Sequence, residues 1–455
     1  MGDAPLAIVL AAGLSTRMRS RTPKVLHPVA GRPLVTHILK TLRAVGARPL
    51  VVLSKESAAA GELFDEGTRL AIQEEARGTG DAVRVGLAAA NGDHGIAFIV
   101  YGDTPLLRPE TLTRMRALVR RGDAPLVLLA GEVGTDNAYG RVVRDERGDV
   151  ERIVETRLAT IEEKKLKESN LGAYAADLDW LRVAVERLRP NDTGEIFLTD
   201  LVAEARREGK RVAVHVTDDP EEGIGVNTRA DLATAEAVMR KRIRDQHMLA
   251  GVTFRDPDSC QVDSDVRIAA DVVIERGTIL EGKTSIGAGS RVGPYAILRD
   301  TTVGERCKVE NSTLEGATLE DDVRIGPYSH LRRGAYLERG VEMGNFGEVK
   351  NARLGAGTKM HHFSYIGDAE VGQRVNIGAG TITLNYDGVK KNRTVIGDDA
   401  FIGSDTLLRA PVTVGAGATT GAGAVVTKDV AEGMVAVGMP ARAIKRADRR
   451  QKKAT

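Results

Sequence analysis

From residue 319 to residue 349 an apolar residue returns every six positions: Leu319, Ile325, Leu331, Leu337, Met343 and Val349. The interval resumes at Ile396, Ile402, Leu408 and Val414, and small residues commonly follow, as in "IGAGS", "IGPYS", "LGAGT", "IGAGT" and "IGSDT". A period of six matches neither an amphipathic helix nor the alternation of a half-buried strand. It matches a parallel β-helix in which each hexapeptide supplies one short strand and one corner. Three faces make a coil of about eighteen residues, so the half beyond residue 250 would hold about nine or ten coils. Scattered hairpins would not keep one phase across six repeats. That half carries 28 of the 50 glycines, as a turn-dense fold requires.

The phase breaks once, between Ile377 and Ile396. The eighteen residues between them equal three hexapeptides, so the register is expected to be kept on both sides. "NYDGVKKNR" in the middle has turn chemistry at Asp387-Gly388 and a cluster of cations. A loop extruded from a regular solenoid is either a functional element or an ordinary solvated bulge.

Up to about residue 228 the grammar is different. "PLVVLSK", "IAFIVYGD", "APLVLLAGEV" and "RVAVHVTD" read as strands. "LVTHILKTLRAVG", "PETLTRMRALVRRG" and "DLDWLRVAVERL" carry apolar residues at helical spacing. This alternation predicts a mostly parallel sheet with helices on both faces. Residues 229–249 contain no Gly or Pro and are rich in helix formers, which predicts a long linker helix.

The N-terminal stretch "PLAIVLAAGLSTRMRSRTPK" passes from a buried strand to small residues and then to Arg17, Arg19, Arg21 and Lys24. Small residues beside guanidinium groups suit a loop closing on an anion. It carries neither the P-loop nor the G-x-G-x-x-G spacing. With 65 basic and 63 acidic residues the net charge is +2, so no global field selects nucleic acid. Two cysteines, Cys260 and Cys307, exclude a disulfide framework or a Cys-based zinc site. No signal-peptide pattern or apolar run of about 20 residues occurs, so a cytoplasmic protein without membrane insertion is expected.

Together "LAAGLSTRMRSRTPK", "YGDTPLL", "YGR" and "GVNTRADL", joined to "MHHFSYIGDAEVGQRVNIGAGTITLNYDGVKKNRTVIGDDAFIGSDT", resemble a bacterial family. Its members combine glucosamine-1-phosphate N-acetyltransferase and N-acetylglucosamine-1-phosphate uridylyltransferase in one chain. The match runs in order over nearly the whole length. The first motif alone marks sugar nucleotidyltransferases in general, and the segment from His362 to Thr406 supplies the acetyltransferase. The resemblance implies an α/β Rossmann-like nucleotidyltransferase domain over 1–228 and a linker helix over 229–250. A left-handed parallel β-helix would follow over 251–446, then a basic, disordered tail over 447–455. It also implies a homotrimer through the β-helix with acetyl-CoA sites between neighbours, and a role in cell-envelope precursor supply.

Attack of a sugar phosphate on the α-phosphorus of UTP joins two polyanions, so charge must be neutralised and the displacement aligned. By resemblance Arg17 and Lys24 do this, while Arg19 and Arg21 are read as solvated surface charge. Leu10, Ala11, Ala12 and Gly13 would approach the nucleotide with backbone, and Gln73, Gly78 and Thr79 would read uracil. Tyr101 and Gly102 would line the site beside Asp103, which with Asn227 would hold Mg²⁺. Gly140, Glu155 and Asn170 would hold N-acetylglucosamine 1-phosphate. Leu171 stands where the family pattern has a small polar residue.

For acetyl transfer only the neutral amine attacks the thioester, and a histidine titrates in the range to take the proton. By resemblance His362 is that base; His361, its neighbour, would point to the opposite side. Arg332, Lys350 and Lys391 would grip the phosphate of glucosamine 1-phosphate, with Tyr365 and Asn376 orienting the sugar. Asn385 and Tyr386 would sit at the reacting centre, and Ala379, Ser404 and Ala422 would meet acetyl-CoA. Arg442 and Lys445 are candidates for the CoA phosphates. Arg333 replaces the family's usual Pro.

Two other enzymes share parts of this pattern: a nucleotidyltransferase with a purely regulatory β-helix, and a relative using dTTP or another amino sugar. A non-catalytic assembly subunit with the same domain pair is a third alternative. His362 and Asn385 argue against the first, and intact Arg17, Lys24, Asp103 and Asn227 argue against the last.

Overall fold

The computed structural model describes residues 4–13, 16–65, 67–134, 137–192 and 194–446. The expected basic tail, 447–455, lies outside them. The chain divides into two compact units, Met1–Met239 and Arg240–Thr455. The division falls inside the expected linker helix, which runs from Arg229 to Leu249.

The first unit is built on a nine-stranded sheet. Its strands are β1 (Leu6–Ala11), β2 (Arg48–Ser54), β3 (Arg69–Gln73), β4 (Ile96–Tyr101), β5 (Leu126–Glu132), β6 (Arg141–Arg144), β7 (Val150–Val154), β8 (Glu168–Asp177) and β9 (Val212–Val216). The order is β9-β5-β8-β4-β1-β2-β3, with β6 and β7 a hairpin beside β8. All six residues of β1 are buried, as a central strand covered on both faces demands. Its alternation sorts two cores. Leu6, Ile8 and Leu10 join one cluster, Ala7, Val9 and Ala11 the other. Helices α1 (Leu34–Ala44) and α3 (Pro109–Arg120) feed the second; α2 (Thr79–Ala88), α4 (Leu178–Arg187) and α5 (Leu201–Arg207) feed the first.

The four expected strands and three expected helices are present, and the sheet departs from parallel only around β8. This strand, absent from the sequence reading, lies antiparallel between β4 and β5. Its register shifts between Asn170 and Tyr174, where Gly172 takes φ +81°. An interior Gly with a bulge breaks the alternation that would have revealed the strand.

The second unit is a parallel β-helix whose three faces are sheets of twelve, ten and nine strands. Leu319, Ile325, Leu331, Leu337, Met343 and Val349 visit the three faces in turn and are all buried. Buried serine and threonine hydroxyls fill several of the corners. Ser290 Oγ donates to Gly304 O (2.9 Å) and accepts the Cys307 N–H (2.9 Å).

The register expected across 378–395 is not kept. Ile377 pairs with Ile402, twenty-five residues on, whereas Phe401 pairs with Thr419 only eighteen on. Ile377 lies in the twelve-stranded sheet and Ile396 in the nine-stranded one, so two faces and a seven-residue insertion occupy the segment. The inward residue of the intervening face is Thr383, 1% exposed, with its hydroxyl on Gly367 O at 3.0 Å. An apolar period cannot count a buried threonine.

Candidate active sites

Strands β1 and β4 are parallel neighbours, so the segments that follow them leave the sheet at one edge, where open α/β sheets collect ligands. The Gly102 N–H donates to Leu10 O at 2.9 Å, and a Cβ on Gly102 would lie 3.2 Å from Ala11 Cβ. Asp103 follows. Its carbonyl accepts the Val226 N–H at 2.9 Å, which brings in the segment before the Arg229–Leu249 helix. Asp231 Oδ2 accepts from the N–H groups of Asn227 (2.9 Å) and Thr228 (2.8 Å), and Thr228 Oγ1 accepts from Asp231 (3.1 Å). This reciprocal cap fixes the Asn227 backbone.

Lys24 Nζ pairs with the Asp103 carboxylate and donates to Asn227 Oδ1 at 2.9 Å; Arg17 Nη2 donates to the same oxygen at 3.0 Å. Side chains of Lys24 and Asp103 are only 13% and 14% exposed. Two oxygen donors, one of them charged, thus converge on a cation position that the ammonium fills. Arg19 and Arg21 are exposed, as expected, yet they line the same cleft as Ala11, Gly13 and Lys24.

At the end of β3, Gln73 is buried and donates through Nε2 to Gly78 O (3.2 Å) and Asp81 Oδ2 (2.8 Å). Gly78 has φ +101°, and a Cβ there would stand 2.5 Å from Ile196 O, so only glycine fits. Thr79 Oγ1 accepts the Leu198 N–H at 3.0 Å. The Asn170 N–H donates to Gly140 O (2.8 Å), and Asn170 Nδ2 to the Tyr174 hydroxyl (2.7 Å). Beneath them Arg141, wholly buried, donates to Asn137 Oδ1 at 2.8 Å. Burial pushes the Glu155 carboxyl above its ordinary range, opposed by the hydroxyl of Thr199 at 3.3 Å. Burial, reinforced by the Glu155 charge, also raises the Tyr101 phenol.

On the β-helix the expected residues separate into two groups at opposite edges of the ten-stranded face. His362, Ala379, Ser404 and Ala422 occupy the corner leading into it and, with Asn376, line one cavity. Arg332, Lys350 and Asn385 stand where the chain leaves it, and Tyr365 lies on the face itself. Arg332 and Lys350 line a second cavity, which also holds Arg333. His361 Nε2 meets Glu342 Oε2 at 2.8 Å, whereas its neighbour His362 meets no carboxylate among the described residues. Asn385 is buried and donates through Nδ2 to Asp368 Oδ2 (2.5 Å) and the Tyr365 hydroxyl (3.2 Å), leaving its Oδ1 to accept. On the inserted loop Lys391 Nζ lies 4.9 Å from the centre of the Tyr386 ring. Arg442 and Lys445 are exposed on the last strand.

The MobA-like NTP transferase domain family matches residues 7–152, and the bacterial transferase hexapeptide family (six repeats) matches 393–428. A bifunctional protein GlmU of Trichlorobacter lovleyi is 44% identical over 95% of this chain and 95% of its own length. One from Streptococcus suis is 40% identical over 95% and 94%, and one from Alkalilimnicola ehrlichii 44% over 88% and 87%. The chain belongs to the bifunctional GlmU family.

It is accordingly a bifunctional enzyme of UDP-N-acetylglucosamine synthesis, with uridylyltransferase and acetyltransferase activities, and its hexapeptide half is a left-handed β-helix. Its substrates include a nucleotide and an acyl-CoA. The two departures from the family pattern have structural settings. Leu171 is core, and a Cβ on Gly223 would press its Cβ at 2.8 Å. Arg333 adds a cation beside Arg332 and Lys350. Among the described residues no helix is long and apolar enough to cross a membrane. Sequence reasoning missed Asp81 and Asp368, which hold the two carboxamides. Asp368 falls within the quoted hexapeptide segment, but neither residue stands out by its own type or spacing, because each acts through a residue eight or seventeen positions away.

Proposed function

We propose that the first unit transfers uridylyl from UTP to N-acetylglucosamine 1-phosphate and that the second acetylates glucosamine 1-phosphate beforehand. The convergence of Arg17, Lys24, Asp103 and Asn227 carries the first assignment. Arg17 and Lys24 neutralise the triphosphate, aided by the N–H groups around Leu10, Ala11, Ala12 and Gly13. Gln73, Gly78 and Thr79 hold the uracil; Gly140, Glu155 and Asn170 hold the sugar beside Tyr101 and Gly102. Asp103 and Asn227 fit Mg²⁺, a hard cation that takes oxygen ligands and keeps waters in its shell. When bound it would neutralise phosphate charge as pyrophosphate departs.

In acetylation His362 takes the proton lost by the amine, and the accepting Oδ1 of Asn385 orients that amine. Arg332, Lys350 and Lys391 bind the phosphate, and Tyr365, Asn376 and Tyr386 flank the sugar. Ala379, Ser404 and Ala422 face the thioester arm, and Arg442 and Lys445 the CoA phosphates. We further propose a cytoplasmic homotrimer. The separation of His362 from Arg332 and Lys350 across one face supports sites completed by a neighbouring copy. So does an exposed column of Tyr295, Tyr328, Phe346 and Phe363, in which Tyr328 and Phe346 stack at 5.5 Å.

The test is incubation with glucosamine 1-phosphate, acetyl-CoA, UTP and Mg²⁺, omitting each in turn, with products read by mass spectrometry. The full mixture should give UDP-N-acetylglucosamine, and omission of UTP should stop at N-acetylglucosamine 1-phosphate. UDP-sugar formation undiminished with chelator present would overturn the metal assignment. No UDP-N-acetylglucosamine from the full mixture would overturn the whole reading.

A further inference from the structure

We propose that Asp81 determines which pyrimidine the nucleotidyl site accepts, by holding the Gln73 carboxamide in one of its two flips. The inference rests on the reading of Gln73 as the base-facing side chain. A carboxamide has nearly the same shape after a half-turn, but its donor and acceptor ends exchange. Something must therefore hold it before it can discriminate by hydrogen bonding.

Here both groups beside Nε2 are acceptors: Gly78 O at 3.2 Å and Asp81 Oδ2 at 2.8 Å. The opposite flip would set Oε1 against a carboxylate and a carbonyl and leave a buried amide without acceptors. Neither neighbour can yield. Gly78 is fixed by its left-handed φ and its contact with Ile196, whose backbone bonds Arg77 O (2.8 Å) and the Gly80 N–H (2.9 Å). Asp81 stands in the first turn of α2, where the helix dipole favours its charge. Gln73 itself is 5% exposed, so water does not substitute freely for either partner.

With Nε2 committed, the carboxamide offers Oε1, which no donor among the described residues meets. That acceptor matches the N3–H of uracil. Cytosine presents a lone pair at N3, and the two lone pairs repel. Asp81, which acts through Gln73, is thus a positioning residue for base selection.

The experiment compares kcat/KM for UTP and CTP in wild type, Asp81→Asn and Gln73→Ala, with acetyl transfer assayed on each preparation. Asn at 81 can donate or accept, so the flipped carboxamide gains a partner there and only Gly78 O still opposes it, while size is kept. The CTP-to-UTP ratio should rise at least about tenfold in Asp81→Asn, with acetyl transfer unchanged. An unchanged ratio in Asp81→Asn, even with both rates lowered together, overturns the proposal. Gln73→Ala separates the two failures. If it also leaves the ratio unchanged, Gln73 does not face the base; if it alone raises the ratio, Gln73 reads the base without Asp81 as its lock.

Discussion

Glu155 illustrates how a single residue is tuned against stability. Burial raises its folded pKa above the ordinary carboxylate value, so the folded chain binds the proton more tightly than the unfolded chain. Below the ordinary carboxylate range both states are protonated and no penalty exists. Stability is lost as pH rises, and the loss is complete above the raised folded value. Glu155→Gln should therefore raise Tm at pH 7.5 and change it little at pH 4, while KM for the sugar phosphate increases. Equal shifts at the two pH values would contradict the burial argument. Residue identity was the part of this site most legible from motifs: Lys24, Asp103 and Asn227 are each recognisable in the chain. Their ion pair is not, because nothing local to "TPK", "YGD" or "GVN" says that the three meet.

At the scale of elements, the β-helix depends on how closely coils stack. Gly344 faces the next coil, where a Cβ would stand 1.9 Å from His361 O, while Gly340 has φ +68° and nothing within 4 Å. Gly344→Ala must push backbone aside and should cost more than about 2 kcal/mol. Gly340→Ala meets only the left-handed backbone penalty of about 1–2 kcal/mol. Chemical denaturation of the two variants checks the order; equal costs would show that the coils can part without loss. The same stacking explains what was readable here. Each inward residue repeats at one coil's length, so the hexapeptide domain announces itself along the chain. β8 did not, since its bulge and Gly172 interrupt the period.

At the scale of the whole molecule, each unit buries its own set of apolar residues, and the two sets of proposed catalytic residues fall in different units. Asp103→Ala should lower UDP-sugar formation by about 10³-fold or more and leave acetylation at the wild-type rate. His362→Ala should do the reverse. Separate assays of the two half-reactions check both, and loss of both activities from either change would defeat the two-site assignment. What the amino-acid order determined unaided was what repeats locally: strand-helix alternation, the helix from Arg229, and the apolar period of the coils. These follow from burial along neighbouring residues. Only the tertiary structure decided the insertion's seven-residue length, the flip of Gln73, and the gathering of Lys24, Asp103 and Asn227. Each of those depends on polar groups meeting across long stretches of chain, and hydrophobic periodicity carries no record of which polar groups meet.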